Sequence, residues 1–364
     1  MTTVSADTQV RQTPLYQEHL KLKARMGPFA GWQMPLVFEG TIKEHQSVRT
    51  GVGMFDIAHM GVVEVRGPEA LAGLQKLSCN NVAALKPGQT QYNMLLNERG
   101  GIRDDILIYL LEENHYWVIV NAGNVDKILN WFQATLPKQA FYRYLLHERV
   151  PFAVQGPKTL ALLQTLFPDF PAQLKPFHFE WMTLLGQRTL VSRTGYTGED
   201  GVEFFVAPDI LPVLWNMLLS QGVPACGLAA RDTLRLEAAL PLYGHELNEE
   251  TLPIQTAHAW VLKWQKPDFI GKSALLAAQK TPGIQLTLVG LMMEGRAIAR
   301  EGYMLQEGGT VTSGTFSPTL ERPIAMAYVD PGYATLGQLL NVDIRGKWQP
   351  ARVCTLPFYR RQKI

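Results

Sequence analysis

The stretches VEVRGPEALAGLQKL (residues 63–77) and FAVQGPKTLALLQTL (residues 152–166) decide the fold that this sequence predicts. They align at a constant offset of 89 residues, which matches Gly67 with Gly156 and brings most of the following leucines into register. In each copy a short run of β character leads into Gly-Pro, and leucines at helical spacing follow, with the proline suited to a first helical turn. Because Gly-Pro ahead of an amphipathic helix is common, chance similarity is the alternative to an internal repeat.

Further strands and a second helix follow each copy. After the first copy, YNMLLN, ILIYLL and YWVIVN are predicted strands and VDKILNWFQATL is a predicted helix. After the second copy, WMTLLG, RTLVSR and GVEFFV are predicted strands and PDILPVLWNMLLSQG is a predicted helix. This order, met twice, predicts two α+β units built on antiparallel sheets in the split βαβ arrangement.

A different pattern begins beyond Leu276, where no long helical periodicity remains. Glycine and proline separate six β-like runs there: LTLVGLMM, GYMLQEGG, TVTSGTFSP, IAMAYVD, LNVDIRG and WQPARVCTL. Such runs predict a small β-barrel or sandwich, joined through the linker AAQKTPGIQ. We therefore expect a body at residues 1–276, with its second repeat starting near residue 150, and a barrel at residues 283–364.

Length, charge and cysteine content limit the class of protein. At 364 residues the chain exceeds the size at which one core stops growing, so two or three domains are expected. The 34 basic and 32 acidic side chains nearly cancel, which disfavours a nucleic-acid scaffold or a polybasic membrane binder. Three well-separated cysteines, no apolar stretch of about 18 residues and no apolar N-terminal signal segment favour a soluble cytoplasmic protein.

The tract NERGGIRDDILIYL (residues 97–110) has two acids at the start of a predicted strand. Side chains alternate along a strand, so at most one of Asp104 and Asp105 shares a face with Leu107 and Tyr109. A turn acid exposed to water is one interpretation. The other is a partly buried carboxylate, its pKa tuned by burial, that binds or exchanges protons with a polar nitrogen of a ligand.

The tract RTGYTGEDGVEFFV (residues 193–206) gathers three acids, Glu199, Asp200 and Glu203, around the start of another strand. Its glycines admit backbone conformations that other residues resist, and they would let a ligand approach the main chain closely. A β-turn with solvated carboxylates is the alternative to a binding site.

Arginines and one histidine mark two further tracts. GLAARDTLRLEAALPLYGHE (residues 227–246) predicts a helix, with Arg231 and Arg235 on one face because they lie four residues apart. Their guanidinium groups suit either ion pairs with local acids or an incoming carboxylate. In GMFDIAHMG (residues 53–61), the position of His59 between apolar residues is more typical of a satisfied core histidine than of a ligand. The sequence has no H-x-x-H, Walker A or G-x-G-x-x-G motif, so it predicts neither a metal site nor a dinucleotide site.

Four tracts taken together resemble the glycine cleavage system T-protein family in their order and spacing: GWQMP with EHQSVRTGVGMFDIAHM, GGIRDDILIY, GYTGEDGVE and GLAARDTLRLEAALPLYGHE. The resemblance extends from about Thr13 to TSGTFSPTL and the closing LPFYRR. It implies an α+β fold with a duplicated ferredoxin-like folate-binding body and a C-terminal β-barrel, in a cloverleaf arrangement around a central channel.

The same resemblance implies an aminomethyltransferase reaction. Tetrahydrofolate would take the one-carbon unit from an aminomethyl group on the lipoyl arm of the glycine cleavage H protein. The products would be 5,10-methylenetetrahydrofolate, ammonia and the dihydrolipoyl carrier. Docking of the lipoylated H protein is expected to be transient and polar, with basic residues at the rim of the channel. Neither a nucleic acid nor a membrane is expected as a partner.

Matched motif by motif, the resemblance implies Asp105 as the catalytic acid. It would act either as a proton acceptor or as a group that orients the amine and stabilises positive charge. Glu203 would hold the edge of the pterin, whose ring nitrogens donate hydrogen bonds. The other residues expected to bind folate are Met60, Tyr92, Asp104, Asn121, Tyr196, Arg231, Arg300 and Tyr359, and no metal ligand is expected.

Three other hypotheses belong to different classes. A folate-binding protein of iron–sulfur cluster assembly shares the fold, but it would carry K-G-C-Y-x-G-Q-E where this chain has RTGYTGEDGVE. A demethylating flavoenzyme would need a flavin domain with its glycine fingerprint. A folate-binding module without catalysis would bind folate but release no ammonia.

Overall fold

The computed structural model describes residues 10–281 and 286–361. The predicted linker runs into residues 282–285, which lie outside the described residues, as do the expected domain ends at residues 1, 283 and 364. The chain begins with β1 (Arg11–Gln12), α1 (Tyr16–Lys21), β2 (Arg25–Phe29), β3 (Trp32–Val37), α2 (Thr41–Thr50) and β4 (Gly53–Asp56). In this first small sheet β3 is central, parallel to β1 and antiparallel to β2.

The first repeat forms the predicted antiparallel α+β unit. Its elements are β5 (Gly61–Arg66), α3 (Ala70–Leu77), β6 (Gln89–Leu96), β7 (Ile102–Glu112), β8 (His115–Val120), α4 (Val125–Thr135) and β9 (Phe141–Tyr144). The strand order is β6-β7-β8-β5-β9, which is the ferredoxin-like order with β6 added at one edge. Helices α3 and α4 cover one face through a core that includes Leu74, Ile128 and Phe132.

The second repeat has the same order of elements: β10 (Val150–Gln155), α5 (Thr159–Leu166), β11 (Phe179–Leu184), β12 (Gln187–Ser192), β13 (Gly201–Val206) and α6 (Leu211–Ser220). Its sheet has the order β11-β12-β13-β10-β4. The edge strand beside β10 is therefore β4, which precedes the first repeat in the sequence. Phe152 pairs with Asp56 as Val63 pairs with Tyr144, so β4 and β9 occupy equivalent edges.

The paired glycines confirm the internal repeat. Gly67 and Gly156 both have positive φ, at 118° and 132°. A Cβ on Gly67 would lie 2.2 Å from the carbonyl oxygen of Gln139, and one on Gly156 would lie 2.3 Å from that of Gly51. Both contacts involve the segment just before an edge strand, and both exclude any larger residue. The prolines that follow lie ahead of α3 and α5 rather than in their first turns, which corrects that detail of the prediction.

The faces of the two sheets that α3 to α6 leave uncovered pack against each other. Tyr109, in the sheet of the first repeat, lies 5.3 Å from Phe205, in the sheet of the second repeat, measured between ring centroids. Trp117 lies 5.9 Å from the same phenylalanine ring. This aromatic cluster joins the repeats into one body and supports the walls of the space beside it.

The C-terminal region is a five-stranded barrel, preceded by α7 (Leu228–Glu237) and α8 (Lys272–Gln279). Its strands are β14 (Thr287–Met293), β15 (Gly309–Ser317), β16 (Arg322–Val329), β17 (Leu339–Asp343) and β18 (Trp348–Cys354), in the order β15-β16-β14-β18-β17. The prediction of GYMLQEGG as a strand is wrong, because before Gly309, the first residue of β15, that segment supplies only two isolated bridges. Met304 pairs with Thr310 and Leu305 with Val342, which links the two outer strands.

A buried polar cluster joins the barrel to the body. Glu237, at the end of α7, accepts hydrogen bonds from Ser317 and Thr319 of the barrel region. It also accepts two from the Arg49 guanidinium of α2, the shorter at 2.9 Å. Burial alone would raise the pKa of Glu237, but the hydrogen bond and charge of His45, with Ser317 and Arg49, lower it to about 2. The carboxylate therefore stays ionised and fixes the barrel against the body.

Candidate active site

A cavity of about 540 Å³ opens where the two repeats and α7 meet. Its volume lies within the range of small-molecule sites, about 300–1,000 Å³. Apolar and aromatic residues form much of its wall, among them Phe29, Ile57, Leu107, Phe177, Phe205 and Trp260. Seven of the ten predicted site residues also line it: Met60, Tyr92, Asp105, Asn121, Tyr196, Glu203 and Arg231.

Asp105 reaches the cavity from β7. One of its carboxylate oxygens accepts a hydrogen bond from the Tyr92 hydroxyl at 3.1 Å, and the other accepts from Asn121 Nδ2 at 2.8 Å. Burial raises the pKa of Asp105, and these two donors oppose the rise without cancelling it. The group is thus a carboxylate held in one orientation, with lone pairs still free to face a ligand.

Asp104 lies behind this group, fully buried and outside the cavity lining. Its carboxylate accepts hydrogen bonds from Asn121 Nδ2 at 2.8 Å and from Asn124 Nδ2 at 2.6 Å. Burial, followed by the negative charge of Asp105, raises the pKa of Asp104. Asn121 therefore bridges the two acids, and Asp104 acts on the site by holding that amide.

Glu203 approaches the cavity from β13 in the second repeat. It is 8% exposed, and the only hydrogen bond that its carboxylate accepts within residues 10–281 and 286–361 comes from Thr194 Oγ1 at 2.6 Å. Burial raises the pKa of Glu203, against the Thr194 hydrogen bond and the charge of Arg231. A carboxylate with unused acceptor capacity in an enclosed space is a receptor for the N–H donors of a heterocycle.

The other two acids of that tract are occupied. Asp200 pairs with Arg193 at 2.6 Å, and Glu199 pairs with Arg49 at 3.0 Å. The structure therefore separates Glu203 from the turn acids with which the sequence grouped it. The predicted role of the glycines also changes, because a Cβ on Gly195 would lie 1.9 Å from Gln155 Oε1. That close approach is to the protein's own side chain.

Arg231 and Arg235 have different surroundings, although both lie on α7. Arg231 lines the cavity with its guanidinium 4.6 Å from the Tyr196 ring centroid. In the described part of the chain its side chain makes no hydrogen bond or ion pair. Arg235 instead donates to Glu246 at 2.8 Å and to Ser313 of the barrel at 2.8 Å. Of the two open interpretations, local ion pairing holds for Arg235, while Arg231 is left as a cation facing the cavity.

Comparison with known proteins gives the family. A family model described as the GCVT N-terminal domain matches residues 15–266, and one described as the glycine cleavage T-protein C-terminal barrel domain matches residues 287–360. The chain belongs to the glycine cleavage T-protein family. It is thus a member of a family of aminomethyltransferases, and its fold class is the one predicted.

Relatives from several bacteria cover nearly the whole of this T-protein family member. Proteins named aminomethyltransferase from Thermosynechococcus vestitus and Symbiobacterium thermophilum are each 45% identical to it, over 99% and 96% of this chain and 98% of their own lengths. The crystal structure of glycine cleavage system aminomethyltransferase T from Bartonella henselae is 36% identical. It has a TM-score of 0.90 and covers 98% of this chain and 100% of its own. These matches support the aminomethyltransferase hypothesis and give no support to the iron–sulfur assembly alternative.

Three predicted site residues lie outside the cavity lining of this T-protein family member. Asp104 is behind Asp105, as described above. Arg300 is exposed on the barrel and donates to the carbonyl oxygen of Gly314 at 3.2 Å. The Tyr359 ring lies over the Arg49 guanidinium, which is 4.1 Å from the ring centroid, and the backbone N–H of Tyr359 donates to the backbone carbonyl oxygen of Glu237. Tyr359 therefore lies at the junction of body and barrel, and its contact with the ligand stays a prediction.

The sequence interpretation missed His258 and Trp260 and assigned His59 to the core. His258 and Trp260 line the T-protein cavity beside Tyr92, whose ring centroid is 5.5 Å from that of His258. Trp260 is 55% exposed, which marks the cavity mouth. The only signal in the sequence was an aromatic pair in a tract without periodicity. His59 is buried as expected, but it lines the cavity.

Residues 10–281 and 286–361 contain no cluster of His, Cys, Asp or Glu side chains that could hold a metal ion. Within the same ranges, every helix is too short or too polar to cross a membrane.

Proposed function

We propose that this protein is the tetrahydrofolate-dependent aminomethyltransferase of a glycine cleavage system. In the proposed reaction, two nitrogens of tetrahydrofolate replace the lipoyl sulfur and the amino group on the one-carbon unit, and the two protons that these nitrogens lose pass to the departing amine and thiolate. The unit becomes the methylene bridge of 5,10-methylenetetrahydrofolate, nitrogen leaves as ammonia, and the sulfur remains as a thiol of the dihydrolipoyl arm. The observation that carries the proposal is the oriented carboxylate of Asp105, which faces an aromatic cavity that also holds Glu203 and Arg231.

The charges in the cavity suit a folate. The pterin ring is flat and donates hydrogen bonds from its nitrogens, so Glu203 would hold it by its edge while aromatic residues cover its faces. The glutamate tail is anionic and calls for a cation without an internal partner. Arg231 meets that requirement, because its guanidinium contacts the Tyr196 ring, and among the described residues no acid lies within hydrogen-bonding distance of it.

Asp105 would act at the reacting end of the folate. Its raised pKa favours accepting a proton as the folate nitrogen reacts. Its two fixed hydrogen bonds favour a steady negative charge that orients the amine and stabilises the cationic carbon. The two roles predict different behaviour for Asp105→Asn, since the amide keeps the shape of the side chain but neither accepts a proton nor carries charge. If turnover in this variant is restored by a small external base, the proton role is supported.

A lipoylated H protein is the proposed partner. Its arm would enter through the open side of the cavity, where Trp260 and Phe177 are 55% and 50% exposed. Arg361 lines the same cavity with a 40% exposed side chain and pairs with Asp200 at 3.4 Å. Basic side chains at such a rim favour transient binding that weakens with salt. We place the enzyme in the cytoplasm, where Cys79, Cys226 and Cys354 would stay reduced.

The deciding experiment is a single-turnover assay with aminomethylated H protein and tetrahydrofolate. We expect ammonia and 5,10-methylenetetrahydrofolate to appear in equal amounts, and Asp105→Asn to slow both by about a hundredfold. Asp126→Asn is the matched control, because that acid lies in the same repeat with an 83% exposed side chain. Folate binding without ammonia release by the wild-type protein would contradict the proposal and favour a folate-binding module.

A further inference from the structure

His59 has an unusual position in the wall of the cavity. The residue is 2% exposed, and its ring meets the Phe29 ring edge to face at 5.5 Å. Within residues 10–281 and 286–361 neither ring nitrogen has a hydrogen-bond partner. Nδ1 is completely enclosed, so Nε2 is the nitrogen that remains open to the cavity. Buried polar groups are nearly always hydrogen-bonded, so a ring left unpaired here points to a partner that arrives with the ligand.

The neighbouring acid does not provide that partner. The Asp56 carboxylate accepts hydrogen bonds from Thr13 Oγ1 at 2.5 Å, from His19 Nε2 at 2.8 Å and from the backbone N–H of Ala58 at 2.9 Å. Asp56 is thus committed to the N-terminal segment of the chain, and His59 is left out of that network.

The charge state of His59 limits what it can bind. Burial lowers the pKa of His59 to about 4; the Asp56 charge opposes this shift and the Arg231 charge adds to it. The ring is therefore neutral near pH 7, with one N–H donor and one acceptor nitrogen. A neutral imidazole beside a cavity cation suits an uncharged polar group and leaves anionic groups to Arg231.

We infer that His59 is a ligand-binding residue whose Nε2 hydrogen-bonds an uncharged N–H or carbonyl group of the bound folate. The inference rests on the proposed function for the identity of the ligand. It assigns His59 a part in orienting the neutral portion of the molecule, separate from the acid at Glu203 and the cation at Arg231. The ring packs against Phe29 and sits next to Met60, so its direction is fixed before the ligand enters.

The test compares two substitutions by tetrahydrofolate titration. His59→Leu fills the space without a polar atom, and we expect it to weaken tetrahydrofolate binding about tenfold, the loss of one hydrogen bond. His59→Gln carries an amide at about the position of Nε2, and we expect it to recover most of the affinity. A residue that serves only packing would give the opposite order, because leucine suits an apolar wall better than glutamine does.

A second measurement uses the unaltered protein, so that a folding defect in a variant cannot hide the answer. In ¹⁵N-labelled wild-type protein, the Nε2 resonance of His59 should move on addition of tetrahydrofolate, as a new hydrogen bond forms. Two results would overturn this inference alone. One is that the wild-type protein binds tetrahydrofolate while the His59 resonance stays unchanged. The other is that His59→Leu binds tetrahydrofolate with the same affinity as the wild type. Wild-type protein that does not bind tetrahydrofolate overturns the proposed function and this inference with it.

Discussion

The Tyr92 hydroxyl donates a hydrogen bond to the carboxylate of Asp105 across two paired strands, at 3.1 Å. Burial, followed by the charge of Asp105, raises the pKa of Tyr92, so the phenol stays protonated and remains a donor. The hydrogen bond in turn stabilises the charged form of Asp105, against the burial that raises the pKa of that acid. Tyr92 thus adjusts the pH range in which the carboxylate is available.

Replacing Tyr92 by phenylalanine should narrow that range. Without the hydroxyl donor the pKa of Asp105 rises further, and the carboxylate form, present above its pKa, is lost at a higher pH during acidification. We expect the acid limb of the kcat/KM profile of Tyr92→Phe to move upward by about 0.5 to 1 pH unit. Tyr144→Phe is the control, because that hydroxyl has no partner among the described residues and lies outside the cavity. Superimposable profiles would show that Tyr92 does not act on Asp105.

Asp105 and Glu203 should have separable kinetic effects. Because Asp105 faces the reacting groups, Asp105→Ala should lower turnover about a hundredfold with little change in folate affinity. Glu203→Ala removes a ground-state hydrogen-bond acceptor, so it should weaken folate binding about tenfold or more and change turnover less. Measuring kcat and the folate dissociation constant for both variants tests the assignment. A severe loss of turnover in Glu203→Ala beside a nearly active Asp105→Ala would reverse the two roles.

Arg231 should recognise the anionic end of the ligand. Arg231→Met keeps the length and apolar stem of the side chain but removes the charge, and we expect affinity for tetrahydrofolate to fall about 10- to 100-fold. A tetrahydropterin without the glutamate tail should bind the wild type and Arg231→Met equally well. Isothermal titration of both ligands measures this difference. If the variant weakens both ligands alike, Arg231 acts on the ring or on the fold instead.

The Glu237 cluster should make the junction of body and barrel sensitive to acid. The pKa of Glu237 is lowered to about 2 in the folded protein from an ordinary value of 4.5, so its contribution to stability is complete above pH 4.5 and is lost as the pH falls toward 2. Glu237→Gln should therefore lower the free energy of unfolding by about 3 kcal/mol at pH 7 and by much less at pH 2 to 3. Urea unfolding at both pH values measures the effect, with the exposed Glu113→Gln as control. An equal loss at both pH values would exclude the charge as the cause.

The repeat glycines give a test that separates steric conflict from backbone strain. Gly67→Ala would combine a positive φ with a Cβ 2.2 Å from a carbonyl oxygen, whereas Gly186→Ala has φ of 78° and open space around the new atom. We expect Gly186→Ala to cost about 1 kcal/mol and Gly67→Ala at least about twice that, because the backbone near Gln139 must move. Thermal unfolding of both variants decides it. Equal losses of stability in the two variants would mean that backbone strain alone, without the steric conflict, accounts for the cost of replacing Gly67.

Sequence periodicity was enough to predict the two repeats, because each is built from local signals. Gly67 and Gly156 mark sharp turns next to amphipathic helices, and both signals lie within about 15 residues. Strand alternation also limited the DD pair to one acid on the face of Leu107, and that acid is Asp105, which lines the cavity. GYMLQEGG does not form the predicted strand because its glycines and the turn at residues 306–308 leave only two isolated bridges before β15 begins at Gly309.

Contacts between distant segments could not be predicted in this way. Arg231 and Arg235 are offset by about 40° around the axis of α7, and this small angle separates a cavity on one side from barrel residues on the other. Only the packing of α7 between body and barrel shows which of the two arginines forms an ion pair with an acid. His258 and Trp260 come from a segment of short turns, and they meet Tyr92 because the adjoining Val261 is buried.

Strand β4 precedes the first repeat in the sequence but forms the edge of the second repeat's sheet, and this has a consequence for synthesis on the ribosome. In its sheet β4 pairs with β10, so the backbone of residue 53 cannot pair with this strand until residue 155 has been made. At roughly 5 to 20 residues per second, that interval lasts about 5 to 20 seconds. The sheet of the first repeat has all its strands by residue 144, so it can form while β4 is still unpaired. During this window a nascent chain exposes a strand that is buried in the folded protein, Gly53–Asp56, while its neighbour β10 has not yet left the exit tunnel.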